Sequence, residues 1–283
     1  MKIMILRLIA VFAVISMACS FNVNLPSANI IETQSVAIDE AAPESGSARV
    51  EIRMGGGTLE LSGGSSALIS GTIEYNVEGW EPRVERSGDT VRIRQSLRNA
   101  PVPNRRNRII NHWDLQLGDT PVDLDIDAGA YEGMLDLGGI PITRLEINGG
   151  ASSSEVRFDS PNPERMSSLT FNTGASDVTL TGLGNANFST MDFTGAAGDY
   201  TLDFSGELQQ EATVNINGAV GNLELTVPAG RPVNVALTGG LRDIDLRGDW
   251  QRNGDGEYTT SGSGPALDIN IDMSIGAIKL ISQ

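Results

Sequence analysis

The sequence predicts an all-β chain wound as a parallel β-solenoid with coils of about 22 residues, and three observations carry the prediction. A unit recurs: an apolar-x-apolar strand, a polar residue, a Gly/Ala corner, then a second apolar-x-apolar strand. Within each copy the apolar residues alternate with period two, and no 3.6-residue period is convincing beyond residue 18. Glycine is 33 of 283 residues, about 12% against a background of roughly 7%, and falls at the corners rather than in flexible runs.

The first element is an address. Met1 to Ala18 carries Lys2 and Arg7 and then a mainly apolar run from Leu8, broken by Ser16, which is the pattern of a secretory signal and too short to span a bilayer. The only cysteine, Cys19, follows Ser16-Met17-Ala18, the place at which a bacterial lipoprotein signal carries its lipid-bearing cysteine. Ser16 and Ala18 suit ordinary signal peptidase as well, so a secreted chain with a free thiol is the alternative. On the lipoprotein reading the mature chain is extracytoplasmic and held to a membrane through Cys19. Residues 19–47, rich in Asn, Pro, Ser and Gly, read as a tether from that anchor, with a short strand around Ser35–Ile38.

Residues 48–112 form the next expected unit. Val50-Glu-Ile52, Gly55-Gly56-Gly57 and Leu59-Glu-Leu61 make one copy of the repeat. Leu68 to Tyr75 and Val91 to Gln95 are further strand candidates, and 97–111 reads as an irregular insertion. Residues 113–283 are the expected main stack. Its leading strands end at Ile126, Ile147, Phe171, Phe193, Ile216 and Leu237, separated by 21 to 24 residues, and a gap of 34 reaches Ile271. A two-strand unit cannot bury its apolar edge alone, so successive coils stack into one core. Stacking in chain order leaves the Ile278-Lys-Leu280 coil last, either capped by the extra loop Asp249–Gly264 or free to self-associate.

Val50 through Gly63-Gly64, Gly71-Thr-Ile-Glu-Tyr-Asn76 and Trp80-Glu-Pro-Arg-Val84 resemble the N-terminal toast-rack domain. Trp113-Asp-Leu-Gln-Leu117 and the Gly-Ala corners after it are similar to the companion β-solenoid of LiaF-like envelope proteins, the cell-wall-active antibiotics response family. The resemblance spans about residues 36–250. It implies an all-β rack outside the cytoplasm and, for LiaF itself, regulation of a membrane sensor kinase; this chain carries an apparent lipid anchor in place of LiaF's membrane helices. It maps no catalytic residue.

Composition removes several functions. One cysteine forbids an internal disulfide framework and a thiolate metal cluster, and one histidine forbids a His-rich metal site. With 36 acidic and 20 basic residues the formal charge is −16, or −18 once Lys2 and Arg7 are removed, which argues against nucleic acid. The charge is uneven: residues 83–108 hold eight arginines against Glu85 and Asp89, whereas 109–283 hold 8 basic and 25 acidic residues. Arg105, Arg106 and Arg108 are the part that strand alternation explains least, and form the candidate site for an anionic envelope polymer, headgroup or membrane-protein partner; the alternative is that the arginines face water or pair with the acidic stack. Asp127, Asn148, Asn172, Thr194, Asn217, Thr238 and Asp272 each follow a leading strand, so stacking aligns them as a ladder that satisfies corner groups or offers oxygens to Ca²⁺ or sugars. Asp123, Asp125 and Asp127, and Asp243 with Asp245, read as solvent-facing strand positions. His112 has no partner motif, and Trp80 and Trp113 read as lining between coils. No catalytic residue, metal or cofactor is expected. The sequence reads as a non-enzymatic envelope lipoprotein with a binding or scaffolding surface, linked to envelope stress, with a polysaccharide-active β-helix enzyme and an adhesin-like self-associating module as alternatives.

Overall fold

The computed structural model describes residues 29–96, 108–240 and 243–283. Cys19, Arg105 and Arg106 lie outside the described residues. The architecture is almost entirely β: among the described residues one 3₁₀ turn, Leu183–Ala186, is the only helical element.

Seven long strands are the coils: β2 (Ala48–Gly63), β7 (Val122–Asp136), β8 (Ile142–Arg157), β9 (Met166–Thr181), β10 (Phe188–Asp203), β11 (Ala212–Val227) and β16 (Leu267–Ser282). They pair in parallel in the order β2-β7-β8-β9-β10-β11-β16. Each coil has a leading arm and a trailing arm, as the repeat predicts, but the two are one continuous strand through the corner. Only one residue per coil drops out of the ladder there: Gly55, Gly129, Gly150, Gly174, Ala196, Ala219 and Ser274.

The corner is closed in two ways. In the earlier coils backbones approach too closely for a side chain: a Cβ on Gly129 would lie 2.1 Å from the Gly55 carbonyl oxygen. From β10 onward the skipped residue is Ala or Ser, and the demand moves two positions along. Gly221 has φ +152° and its Cβ would meet the Gly198 oxygen at 2.0 Å.

Inward positions of both arms and of the return segments make one core, running from Val50 and Ile52 to Ile278 and Leu280. Phe171 stacks on Phe193 with centroids 5.6 Å apart, and Phe193 meets Tyr200 edge-on at 5.0 Å. Asn162, buried in a return segment, donates to the carbonyls of Ile142 (2.8 Å) and Ala186 (3.1 Å), tying three coils together.

The ends differ from the expected order. At the N-terminal end the outermost coil is split between β5 (Thr90–Gln95), on the leading arm of β2, and β6 (Asn111–Leu117), on its trailing arm. Antiparallel strands cap both: β4 (Pro82–Ser87) on β5, and β3 (Ile69–Val77) followed by β1 (Ile30–Glu40) on β6. β1 therefore occupies part of the segment expected as tether, and β6 crosses the expected boundary at 112/113 within one hydrogen-bonded sheet.

At the other end chain order is not stacking order. β16 lies between β11 and the coil formed by β12 (Val233–Gly239) and β13 (Asp243–Arg247), so Ile278-Lys-Leu280 is internal rather than last. The 34-residue gap holds a hairpin of β14 (Gln251–Gly254) and β15 (Glu257–Thr260), which pairs with β12. The extra loop thus caps the stack at the coil before the one expected, because the chain folds out and returns into the slot beside β11.

Candidate functional site

The charged cluster is built by register. On the outer side of the leading arms, parallel pairing of β5, β2, β7 and β8 places residues in three columns: Thr90–Arg49–Asp123–Arg144, Arg92–Glu51–Asp125–Glu146 and Arg94–Arg53–Asp127–Asn148. Strands stand about 4.8 Å apart, within reach of an arginine from a carboxylate on the next coil. Arg49, Glu51 and Arg53 alternate along β2, between the arginines of β5 and the three aspartates of β7, so the surface is a lattice of ion pairs.

Asp125 is its centre. Arg53 donates both Nη atoms to its two oxygens at 2.8 and 2.9 Å, and Arg49 Nη2 adds a third bond at 3.0 Å. Glu51 receives Arg92 Nε at 2.7 Å and Arg49 Nε at 3.0 Å. Arg49 also reaches Asp123 at 3.2 Å, and Arg53 reaches Asp127 at 2.5 Å. At the rim Arg144 pairs with Glu146, Arg94 with Glu85, and Arg86 with Glu40 at 3.4 Å.

Burial and charge act oppositely on the two central carboxyls. The hydrogen bond from Arg92 leads in holding Glu51 below the usual carboxylate range, against a burial penalty. For Asp125 burial is the largest influence and pushes upward, but Arg53 and then Arg49 outweigh it and the net shift is down. Both carboxylates are nearly inaccessible, with side chains 9% and 7% exposed, whereas Arg49 and Arg53 keep 38% and 29%. The expectation that Asp123, Asp125 and Asp127 are simply solvated is therefore corrected for Asp125, which the guanidinium groups cover.

The polar ladder continues the third column. Asn148 Nδ2 donates to Asp127 at 2.8 Å, and Asn172 Nδ2 donates to Asn148 at 2.9 Å. Thr194, Asn217, Asp272 and Thr238 follow in register on later coils. Beside the corner, Arg53, Met54, Gln95, Asp127 and Asn148 line part of a shallow pocket of ≈ 420 Å³.

The remaining candidates separate. Arg108 is exposed, and its carbonyl accepts from Asn76 Nδ2 at 2.8 Å. The residues flanking 97–107 are fastened by paired amides: Gln95 Nε2 donates to Asn111 Oδ1 and Asn111 Nδ2 to Gln95 Oε1, both at 2.9 Å. Trp113 and Trp80 are buried, Trp113 donating to Asn111 at 3.1 Å, so neither presents a stacking platform. His112 Nδ1 lies 2.8 Å from Thr58 Oγ1. Asp243 and Asp245 are exposed.

Arginine density along the sequence peaks between 83 and 108 and does not mark Arg49, Glu51, Arg53 and Arg144. The signal was present: Arg49-x-Glu51-x-Arg53 has the parity of Asp123-x-Asp125-x-Asp127 in the coil that stacks on it. Chemically the lattice suits presentation of fixed charge. A general acid needs a raised carboxyl pKa, and the two buried carboxyls are lowered and spent in ion pairs.

Solved structures of similar shape include a provisionally assigned cell adhesion protein from Clostridium sporogenes (18% identity, 89% of this chain and 99% of that one, TM-score 0.47). Others are a provisionally assigned lipid-binding protein from Parabacteroides distasonis (11%, 90% and 98%, TM-score 0.38) and a provisionally assigned adhesin from Bacteroides fragilis (6%, 89% and 97%, TM-score 0.34). No curated protein matches the chain. The family model described as the N-terminal domain of toast_rack, DUF2154, matches residues 26–167 and 162–226. With most of its length so matched, and with its coils stacked as a parallel β-solenoid, the chain belongs to the toast_rack family.

Proposed function

We propose that this chain is a non-enzymatic binding or structural module of the bacterial envelope. In this reading it is held on the extracytoplasmic side of a membrane by a lipid on Cys19, and it presents the leading-arm face at its N-terminal end to a partner. The observation that supports it is the state of Glu51 and Asp125: both are buried, ionised and tied to arginines, which fixes the face as a rigid charge pattern rather than an acid–base pair. Arg105, Arg106 and Arg108, in and beside the segment whose ends Gln95 and Asn111 fasten, are the proposed contacts to an anionic polymer, headgroup or membrane protein. A link to envelope stress is the finer part of the proposal and rests on the LiaF-like resemblance of the sequence.

The test is a pull-down from envelope extracts with the wild-type chain and with Arg105, Arg106 and Arg108 changed to alanine. Partners lost from the variant support the arginine contacts, and identical partner sets refute them.

A further inference from the structure

Among the described residues, one coil half of the solenoid carries no cap. At the N-terminal end β4 covers the leading arm, and β3 with β1 covers the trailing arm. At the C-terminal end β15 and β14 cover β12, but among the described residues β13 pairs only with β16, so its far edge has no strand partner there.

The outermost strands carry features that discourage pairing. β4 opens on Pro82. β1 breaks register between Ile30 and Gln34, and its charges, Glu32, Asp39 and Glu40, are all negative. β14 has four residues and a register break. β13, by contrast, is regular and proline-free, and it alternates Asp243, Ile244, Asp245, Leu246, Arg247. Leu246 is 38% exposed.

We propose that β13 is a self-association edge, two copies pairing their β13 strands antiparallel about a two-fold axis through Asp245. Four of the five cross-strand pairs are complementary in that register, the like-charged Asp245 pair at the axis being the exception. Asp243 of each copy faces Arg247 of the other, and Ile244 faces Leu246, on opposite sides of the strand. The two Asp245 side chains meet at the axis, each with Arg247 of its own strand beside it at 3.1 Å. Five residues bury less than a stable interface needs, so the association is weak, with a dissociation constant on the order of 10–1000 µM, and a membrane would favour it by concentrating the chain. This inference is independent of what the arginine-rich face binds.

The test is disulfide cross-linking of the full chain in its membrane, scored as a dimer band over the parent, which carries Cys19 alone. Asp245→Cys places two thiols opposite one another, with Cα atoms about 4.5–5.5 Å apart, and is expected to cross-link on mild oxidation. Asp255→Cys, on the hairpin turn, is expected to stay at the parent level. In the Asp245→Cys background Leu246→Lys and Arg247→Glu should each reduce the band roughly tenfold. Adding Asp243→Arg to Arg247→Glu should restore it, since both cross-strand pairs re-form with signs exchanged. Absence of a band from Asp245→Cys, an equal band from Asp255→Cys, or a band that Leu246→Lys leaves unchanged would overturn the proposal. An extended segment of another protein on this edge would give a mixed disulfide of different mass, which also overturns it.

Discussion

Asp125 gives the sharpest test of the charge lattice. Replacing it with asparagine keeps shape and volume, removes the negative charge, and turns one acceptor into a donor facing a guanidinium. Three hydrogen bonds are affected, at 2.8, 2.9 and 3.0 Å. Hydrogen bonds to charged groups contribute about 1.5–3 kcal/mol each, which taken at face value would exceed 4 kcal/mol. Arg49 and Arg53 are 38% and 29% exposed, however, so water recovers part of their solvation, and the expected cost is about 2–3 kcal/mol. The comparison is Asp255→Asn in the exposed pair with Arg252, 61% and 107% accessible, where the change should stay within about 0.5 kcal/mol. Guanidinium would mask these ion pairs, so urea denaturation at fixed ionic strength is the assay. Because the folded pKa of Asp125 lies below its unfolded value near 3.9, the stability it supplies is complete above that pH and is lost as pH falls through the folded pKa. The gap between wild type and Asp125→Asn should therefore close below about pH 4. An Asp125→Asn chain as stable as the Asp255→Asn control at pH 7, or a gap that persists to the lowest pH at which the chain stays folded, would refute the reasoning.

Other predictions follow from the same geometry. Gly88→Ala, at φ +59° with no atom within 4 Å, should cost about 1–2 kcal/mol, whereas Gly221→Ala, at φ +152° with the Gly198 oxygen 2.0 Å from the new Cβ, should cost clearly more, as read from urea midpoints. Asn162→Ala leaves the Ile142 and Ala186 carbonyls short of a buried donor and should lower stability by about 1–3 kcal/mol by the same measurement. Cys19→Ala should move the chain from the membrane to the soluble fraction in cell fractionation, and an unchanged distribution would count against the lipid anchor.

The repeat made the coils and their columns legible because its period sets the register. Once Leu124-Asp-Ile126 is aligned with Leu145-Glu-Ile147, Asp127 must lie beside Asn148, and their 2.8 Å hydrogen bond follows from strand spacing. Stacking order was not legible for the same reason. Ile269-Asn-Ile271 matches the coils of Ile216 and Leu237 equally well, so local pattern could not place β16 between them; the 34-residue gap marked an excursion without saying where the chain returned. The corner also read as a break between two strands, although only one residue per coil leaves the ladder there. Arg49 and Arg53 do not stand out in charge density along the chain, because their partners Asp123, Asp125 and Asp127 are about 74 positions away in sequence and one strand away in space.

In the proposed function the chain binds an envelope partner and does not process it. Incubating the purified full chain with isolated bacterial cell walls, and then measuring both the sedimented protein and the saccharide released into solution, tests that most directly. The expected result is co-sedimentation that weakens with salt and with alanine at Arg105, Arg106 and Arg108, and no soluble saccharide above the protein-free control. Saccharide released by the wild-type chain and abolished by Asp125→Asn, in a variant that remains folded, would contradict it.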